Sequence, residues 1–145
     1  MTDTLDAAAT NEDTLDELHA WLDDNWDPDL TVAQWWELLG LSGWCAPTLP
    51  TNAYGKGLAR SVGVQVQKAI SAYGALGAPA GLGLLLAAPT IADHGTQEQI
   101  DTMVKDIVTG QKAWCQLFSE PGAGSDLAGL TTRAVRDTSK DGAGR

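Results

Sequence analysis

At Gly110 the hydrophobic rhythm of this chain changes, and the change limits what each side of it can fold into. Upstream, apolar residues recur at three- and four-residue spacing, the period of a helix with one buried face. Downstream, Ala113, Cys115 and Leu117 alternate with Trp114, Gln116 and Phe118, the period of a strand. The alternation then breaks in Pro121-Gly122-Ala123-Gly124-Ser125-Asp126, which can continue neither helix nor strand.

Five helices are predicted before that point. Residues 1–11 are small, polar and acidic, and are expected to form a disordered tail. Thr14 with Glu17 reads as a capping box, followed by Leu15, Leu18 and Leu22 on one face; Asp27-Pro28-Asp29 closes that helix. Thr31 with Gln34 opens the second, with Val32, Trp35, Trp36 and Leu39 in helical register and Gly40 as its C′ residue. Its tryptophans are read as core. The third helix starts near Ser61, carries Val62, Val66, Ala69, Ile70 and Tyr73, and is ended by Gly74, Gly77 and Pro79. A fourth, from about Leu82 to His94, is apolar on most faces and is expected to be central. Its His94 serves the helix dipole rather than catalysis. Thr96 with Gln99 caps the fifth, whose stripe is Ile100, Met103, Val104 and Ile107 and whose end is Gly110.

Strands are predicted over 112–119 and 131–136, with the Gly-rich loop between them. Two strands alone are only marginally stable in water, so the chain is expected to be a piece of something larger. The expected architecture is mainly α. A helical domain occupies 12–110, and the start of a β-domain with its Gly-rich loop occupies 111–145.

Charge narrows the function. The net charge is −10, and residues 1–55 hold eleven acidic residues and no Lys or Arg. No basic stripe exists to displace counterions, so nucleic acid is not the expected partner. The acidic front is instead a solvated helix face. No signal or transit peptide is legible, and the longest apolar stretch, 81–92, is too short to cross a bilayer. Cys45 and Cys115 lack CxxC spacing and are expected to be reduced, partly buried thiols; no metal site is expected. The expected location is the cytoplasm.

A Gly-rich loop after a strand can hold a phosphate on main-chain N–H groups, its glycines freeing φ values closed to other residues. It can equally be a plain turn. This loop matches neither a Walker A sequence nor the G-x-G-x-x-G fingerprint. Ser119 and Glu120 stand at its entrance, and Ser125 adds a hydroxyl within it.

The string Ser119-Glu120-Pro121-Gly122-Ala123-Gly124-Ser125-Asp126 resembles the first signature of the flavin-dependent acyl-CoA dehydrogenases. Gly40-Leu41-Ser42-Gly43-Trp44, Tyr54-Gly55 and Leu86-Ala87-Ala88-Pro89-Thr90-Ile91 through His94-Gly95-Thr96 are similar to that family in the same order. The resemblance covers roughly residues 12–136, the early part of a family member. It implies FAD as cofactor, an acyl-CoA substrate, electron-transfer flavoprotein as partner, and a homo- or hetero-oligomer. It implies cofactor contacts at Gln116, Phe118, Ser119, Gly124 and Ser125, with Ser125 also touching the acyl-CoA. Glu120 and Asp126 are implied to shape the loop. The implied reaction removes a proton from the α carbon while hydride leaves the β carbon for the flavin. Its glutamate base belongs to a C-terminal bundle, so no catalytic residue is assigned in this chain. Two other readings are a flavin-dependent monooxygenase of the same fold and a non-catalytic helical subunit docking on a full-length partner.

Overall fold

The computed structural model describes residues 3–133 and 135, and side chains from residue 11 onward. The chain divides into two units, Met1–Cys115 and Gln116–Arg145. The first unit is helical. Helix α1 runs Asp3–Asn25, α2 Val32–Leu41 and α3 Arg60–Tyr73. Helix α4 opens as a π-helical stretch, Gly83–Ala87, and continues over Ala88–His94. Helix α5 comprises Gln97–Gln99, a π-helical Ile100–Val104, and Lys105–Val108.

The apolar stripes of four helices meet in one core. Leu18 and Leu22 of α1, Trp35 and Leu39 of α2, Val66 and Ile70 of α3, and Ile100, Val104, Ile107 and Val108 of α5 are all buried. Each pair sits four residues apart, so each helix offers one narrow seam. Fully burying such a side chain contributes about 1.5–3 kcal/mol. Trp44, Cys45 and Leu49 bring the α2–α3 connection into the same core.

Helix α2 is fixed at its N-terminus and along its first half. Thr31 accepts from the Gln34 amide while the Gln34 side chain accepts from the Thr31 amide, the predicted capping box. Trp35 packs edge-on against Trp26 at 4.7 Å, and its Nε1 donates to the Leu76 carbonyl at 2.6 Å. Trp36 donates from Nε1 to Gly77 at 2.9 Å. The two indoles thus hold the connection after α3.

Several expectations are corrected. Helix α1 begins at Asp3, so Thr14 lies inside it rather than at its cap. Gly40 is buried within α2, and Ser42 is the C-cap. Gly40 is needed for close approach: a Cβ there would lie 2.6 Å from the Val108 carbonyl oxygen. The left-handed residue that follows is Gly43, at φ +85°. The fourth helix is not central, since Leu85 is 71% exposed and Leu86 45%. Only Gly83 and Ala88 of it are buried. Pro89 has no N–H to give to the turn before it. The ladder there widens, and the Ala88 amide reaches back to the Gly83 carbonyl. Gly74 and Gly110 end their helices as predicted, at φ +88° and +67°. No described helix is long and apolar enough to cross a membrane.

The two predicted strands are absent among the described residues, where the only pairing is an isolated bridge between Glu120 and Ala123. Residues 113–119 lie without helix or ladder, because alternation makes a strand only when a neighbour takes its backbone groups. Of the second predicted strand, residues 134 and 136 lie outside the described residues.

Cys45 and Cys115 are free thiols in different settings. Cys45 is buried, donates to the Val108 carbonyl at 3.2 Å, and burial pushes its pKa up to about 12; Cys115 is exposed. A thiol reagent at about pH 8 is therefore expected to label Cys115 and spare Cys45 in the native chain, since only thiolates react. Equal labelling would show an open core. Leu39→Ala is expected to lower stability in urea by about 2–5 kcal/mol, and Leu86→Ala by much less. Gly40→Ala is expected to cost about 1–3 kcal/mol by forcing α2 off α5. Gly77→Ala, where a Cβ meets nothing within 4 Å, should be close to neutral in the same titration.

Candidate functional site

The Gly-rich loop is held by one residue through both its backbone and its side chain. The Glu120 amide donates to the Ala123 carbonyl at 2.9 Å and the Ala123 amide returns to Glu120 at 3.1 Å. Pro121 follows Glu120, where its fixed φ suits the first central position of a turn. The Glu120 carboxylate then reaches past the loop to Thr131 and Thr132. Oε2 accepts from the Thr131 amide and hydroxyl, both at 2.9 Å. Oε1 accepts from the Thr132 amide at 2.6 Å and from the Thr132 hydroxyl.

Four donors on one carboxylate favour its charged form. The Thr132 hydroxyl is the largest cause, then the Thr131 amide and hydroxyl and the Thr132 amide, and together they hold the Glu120 pKa at about 2 against an ordinary 4.5. The pKa is depressed by folding, so the clamp is complete above about pH 4.5 and is lost as pH falls toward 2. Such a carboxylate is a poor proton acceptor at neutral pH.

The residues expected to contact a cofactor fall into two groups. Gln116, Phe118 and Ser119 lie exposed on the run before the loop, with Phe118 at 59%. Gly124 and Ser125 lie exposed within it. No hydrogen bond or ring contact joins the first group to the second among the described residues. The expectation that the loop glycines use a left-handed backbone is corrected: neither Gly122 nor Gly124 has positive φ. What they provide is space, since a Cβ at either would meet nothing within 4 Å. The amides of Gly122, Gly124 and Ser125 donate to no other described group. Main-chain donors beside such open glycines suit an anionic oxygen at close range.

Sequence reasoning missed Thr131 and Thr132 as loop partners, although Thr-Thr was legible as a pair of hydroxyls. It also missed a groove of ≈ 520 Å³ in the first unit, lined by Pro47, Leu49, Val64 and Leu84 with Arg60 and Lys68. That groove has an apolar lining with two cations, a polarity suited to an apolar group bearing an anionic end. No periodicity signals it, because separate segments build it. Among the described residues, no cluster of three or more His, Cys, Asp or Glu is placed to hold a metal ion.

The profile of the acyl-CoA dehydrogenase N-terminal domain matches residues 5–111. Among similar proteins, acyl-CoA dehydrogenase FadE26 of Mycobacterium tuberculosis is 41% identical over 108 residues, 74% of this chain and 25% of that protein. Acyl-CoA dehydrogenase FadE34 of the same organism is 66% identical over 50 residues, 34% of this chain and 7% of that protein. The caffeyl-CoA reductase-Etf complex subunit CarC of Acetobacterium woodii is 51% identical over 41 residues, 28% of this chain and 11% of that protein. The chain thus spans at most a quarter of these relatives' lengths. No solved structure matches it. A helical unit built on the α2–α5 contact, matched by this profile over most of its length, makes the chain a member of the acyl-CoA dehydrogenase family.

Proposed function

We propose that this chain forms the N-terminal part of an FAD-dependent enzyme that desaturates an acyl-CoA thioester between its α and β carbons. The observation that carries the reading is the Gly122–Ser125 loop, with its unspent amides and open glycine face, joined to a helical unit of this family. FAD, when bound, supplies the hydride acceptor. Gly124 and Ser125 would meet its pyrophosphate. Gln116 would line the FAD site, and Phe118 and Ser119 would approach the flavin ring, where a donor near the pyrimidine end favours the charge that develops on reduction. Ser125 would also touch the acyl-CoA.

Glu120 is not the base. Its carboxylate is ionised with both oxygens engaged, so it has no free position for a substrate proton. The proton acceptor belongs to other parts of the enzyme. The name of the CarC relative refers to an Etf complex, which supports electron-transfer flavoprotein as the redox partner. The names of the relatives support a dehydrogenase over a monooxygenase. Oligomeric assembly and a cytoplasmic setting, both expected from the sequence, belong to the same proposal.

The test is a comparison of two proteins. The 145-residue chain alone is expected to give no dehydrogenation of octanoyl-CoA with an electron acceptor, and only weak flavin absorbance after desalting. The same chain joined to the middle and C-terminal segments of a family member is expected to retain FAD. There, Ser125→Ala should weaken FAD binding roughly ten- to a hundredfold, the worth of one hydrogen bond to a charged acceptor. Ser119→Ala should act chiefly on the rate of flavin reduction in stopped flow. Full FAD affinity in the Ser125→Ala fusion would remove the pyrophosphate role, and turnover by the chain alone would require a base within it.

A further inference from the structure

Two sets of donors lie within this short segment. One comprises the amides and hydroxyls of Thr131 and Thr132, and the other the amides of Gly122, Gly124 and Ser125 with the Ser125 hydroxyl. An anionic ligand could seat on either set. Glu120 removes the choice: a carboxylate offers about four acceptor positions, and the first set fills four. Its negative charge also repels a second anion from that side. The second set donates to no other described group, and a Cβ at Gly122 or Gly124 would meet nothing within 4 Å.

We propose that Glu120 is a positioning residue that selects the seat of an anionic ligand on this loop, directing a pyrophosphate group to Gly122, Gly124 and Ser125 and denying it Thr131 and Thr132. The proposal rests on the flavin reading above and deepens it. Two effects of Glu120 oppose each other, which makes the sign of its removal informative. As a bare charge near an anion it weakens binding, so neutralising it would tighten the complex. As the fixture of the loop it strengthens binding, so disabling it would loosen the complex. Glu120→Gln separates the two, because it removes the charge and also turns an NH2 group toward donors that need an acceptor.

The experiment is a titration of the isotope-labelled 145-residue chain with inorganic pyrophosphate, read from backbone amide shifts. In the wild type, the amides of Gly122, Gly124 and Ser125 are expected to move. In Glu120→Gln the affinity is expected to fall roughly tenfold, the loss of about one charged hydrogen bond's worth of fixation. The remaining shifts should migrate to Thr131 and Thr132. Loop disorder alone would abolish shifts without moving them, so migration is the decisive signature. Glu120→Asp keeps the charge with a shorter reach and is expected to restore part of the affinity at the glycine amides. Unchanged or tighter binding in Glu120→Gln, or loss without migration, overturns the positioning role and leaves the flavin reading standing. Absence of any wild-type shift in residues 122–132 likewise overturns the positioning role, while the flavin reading stands or falls with FAD retention by the fusion protein.

Discussion

The close approach of α2 to the end of α5 is the contact on which the helical unit depends. Gly40 lies so near the Val108 carbonyl that no other residue fits without movement. Around that point the two helices share Leu39, Ile107 and Val108 in one core. Cys45 adds a thiol bond to the same Val108 carbonyl, and Gly110 turns away directly beneath the Trp36 ring, where a Cβ would come within 2.4 Å. Trp35 and Trp36 carry the influence of α2 onward to Leu76 and Gly77. One helix thereby sets the position of α5 and of the connection between α3 and α4. Such a hub needs a short side chain where backbones meet and large ones on either flank, and the Trp35-Trp36-Glu37-Leu38-Leu39-Gly40 sequence has that order.

The second unit solves a different problem with different means. It has no ladder among its described residues, and Ala123 is its buried apolar residue. Order comes from polar contacts converging on Glu120, whose backbone closes the turn and whose carboxylate fastens the segment behind it. An ionised acceptor makes these bonds stronger than neutral ones. The arrangement leaves Gly122 and Gly124 open, and their amides donate to no other described group, which suits a backbone that meets a phosphate closely.

Much of the helical unit was legible because caps and stripes are local. The Thr31–Gln34 and Thr96–Gln99 boxes formed as spaced, and Gly74 and Gly110 stopped their helices. The errors share a cause. Gly40 read as a stop because sequence cannot show that Val108 would pack against it. Leu82 to His94 read as central because apolar content does not reveal which faces find a neighbour. Alternation over 112–119 described a strand's side chains and said nothing of a pairing partner. At the candidate site, the motif located the loop and the role of Glu120 as a shaping residue. The Thr131–Thr132 clamp depends on side-chain reach across eleven and twelve positions, which no spacing rule encodes.

The proposed seat for the pyrophosphate of a dinucleotide at Gly122, Gly124 and Ser125 implies a difference between two flavins. Parallel amide-shift titrations of the labelled chain with FAD and with riboflavin, which shares the ring but lacks the pyrophosphate and the adenosine beyond it, read that difference amide by amide. FAD is predicted to move Gly122, Gly124 and Ser125 while riboflavin leaves them in place. Equal movement with both flavins, or none with FAD at saturating concentration, would show that these amides do not seat the pyrophosphate.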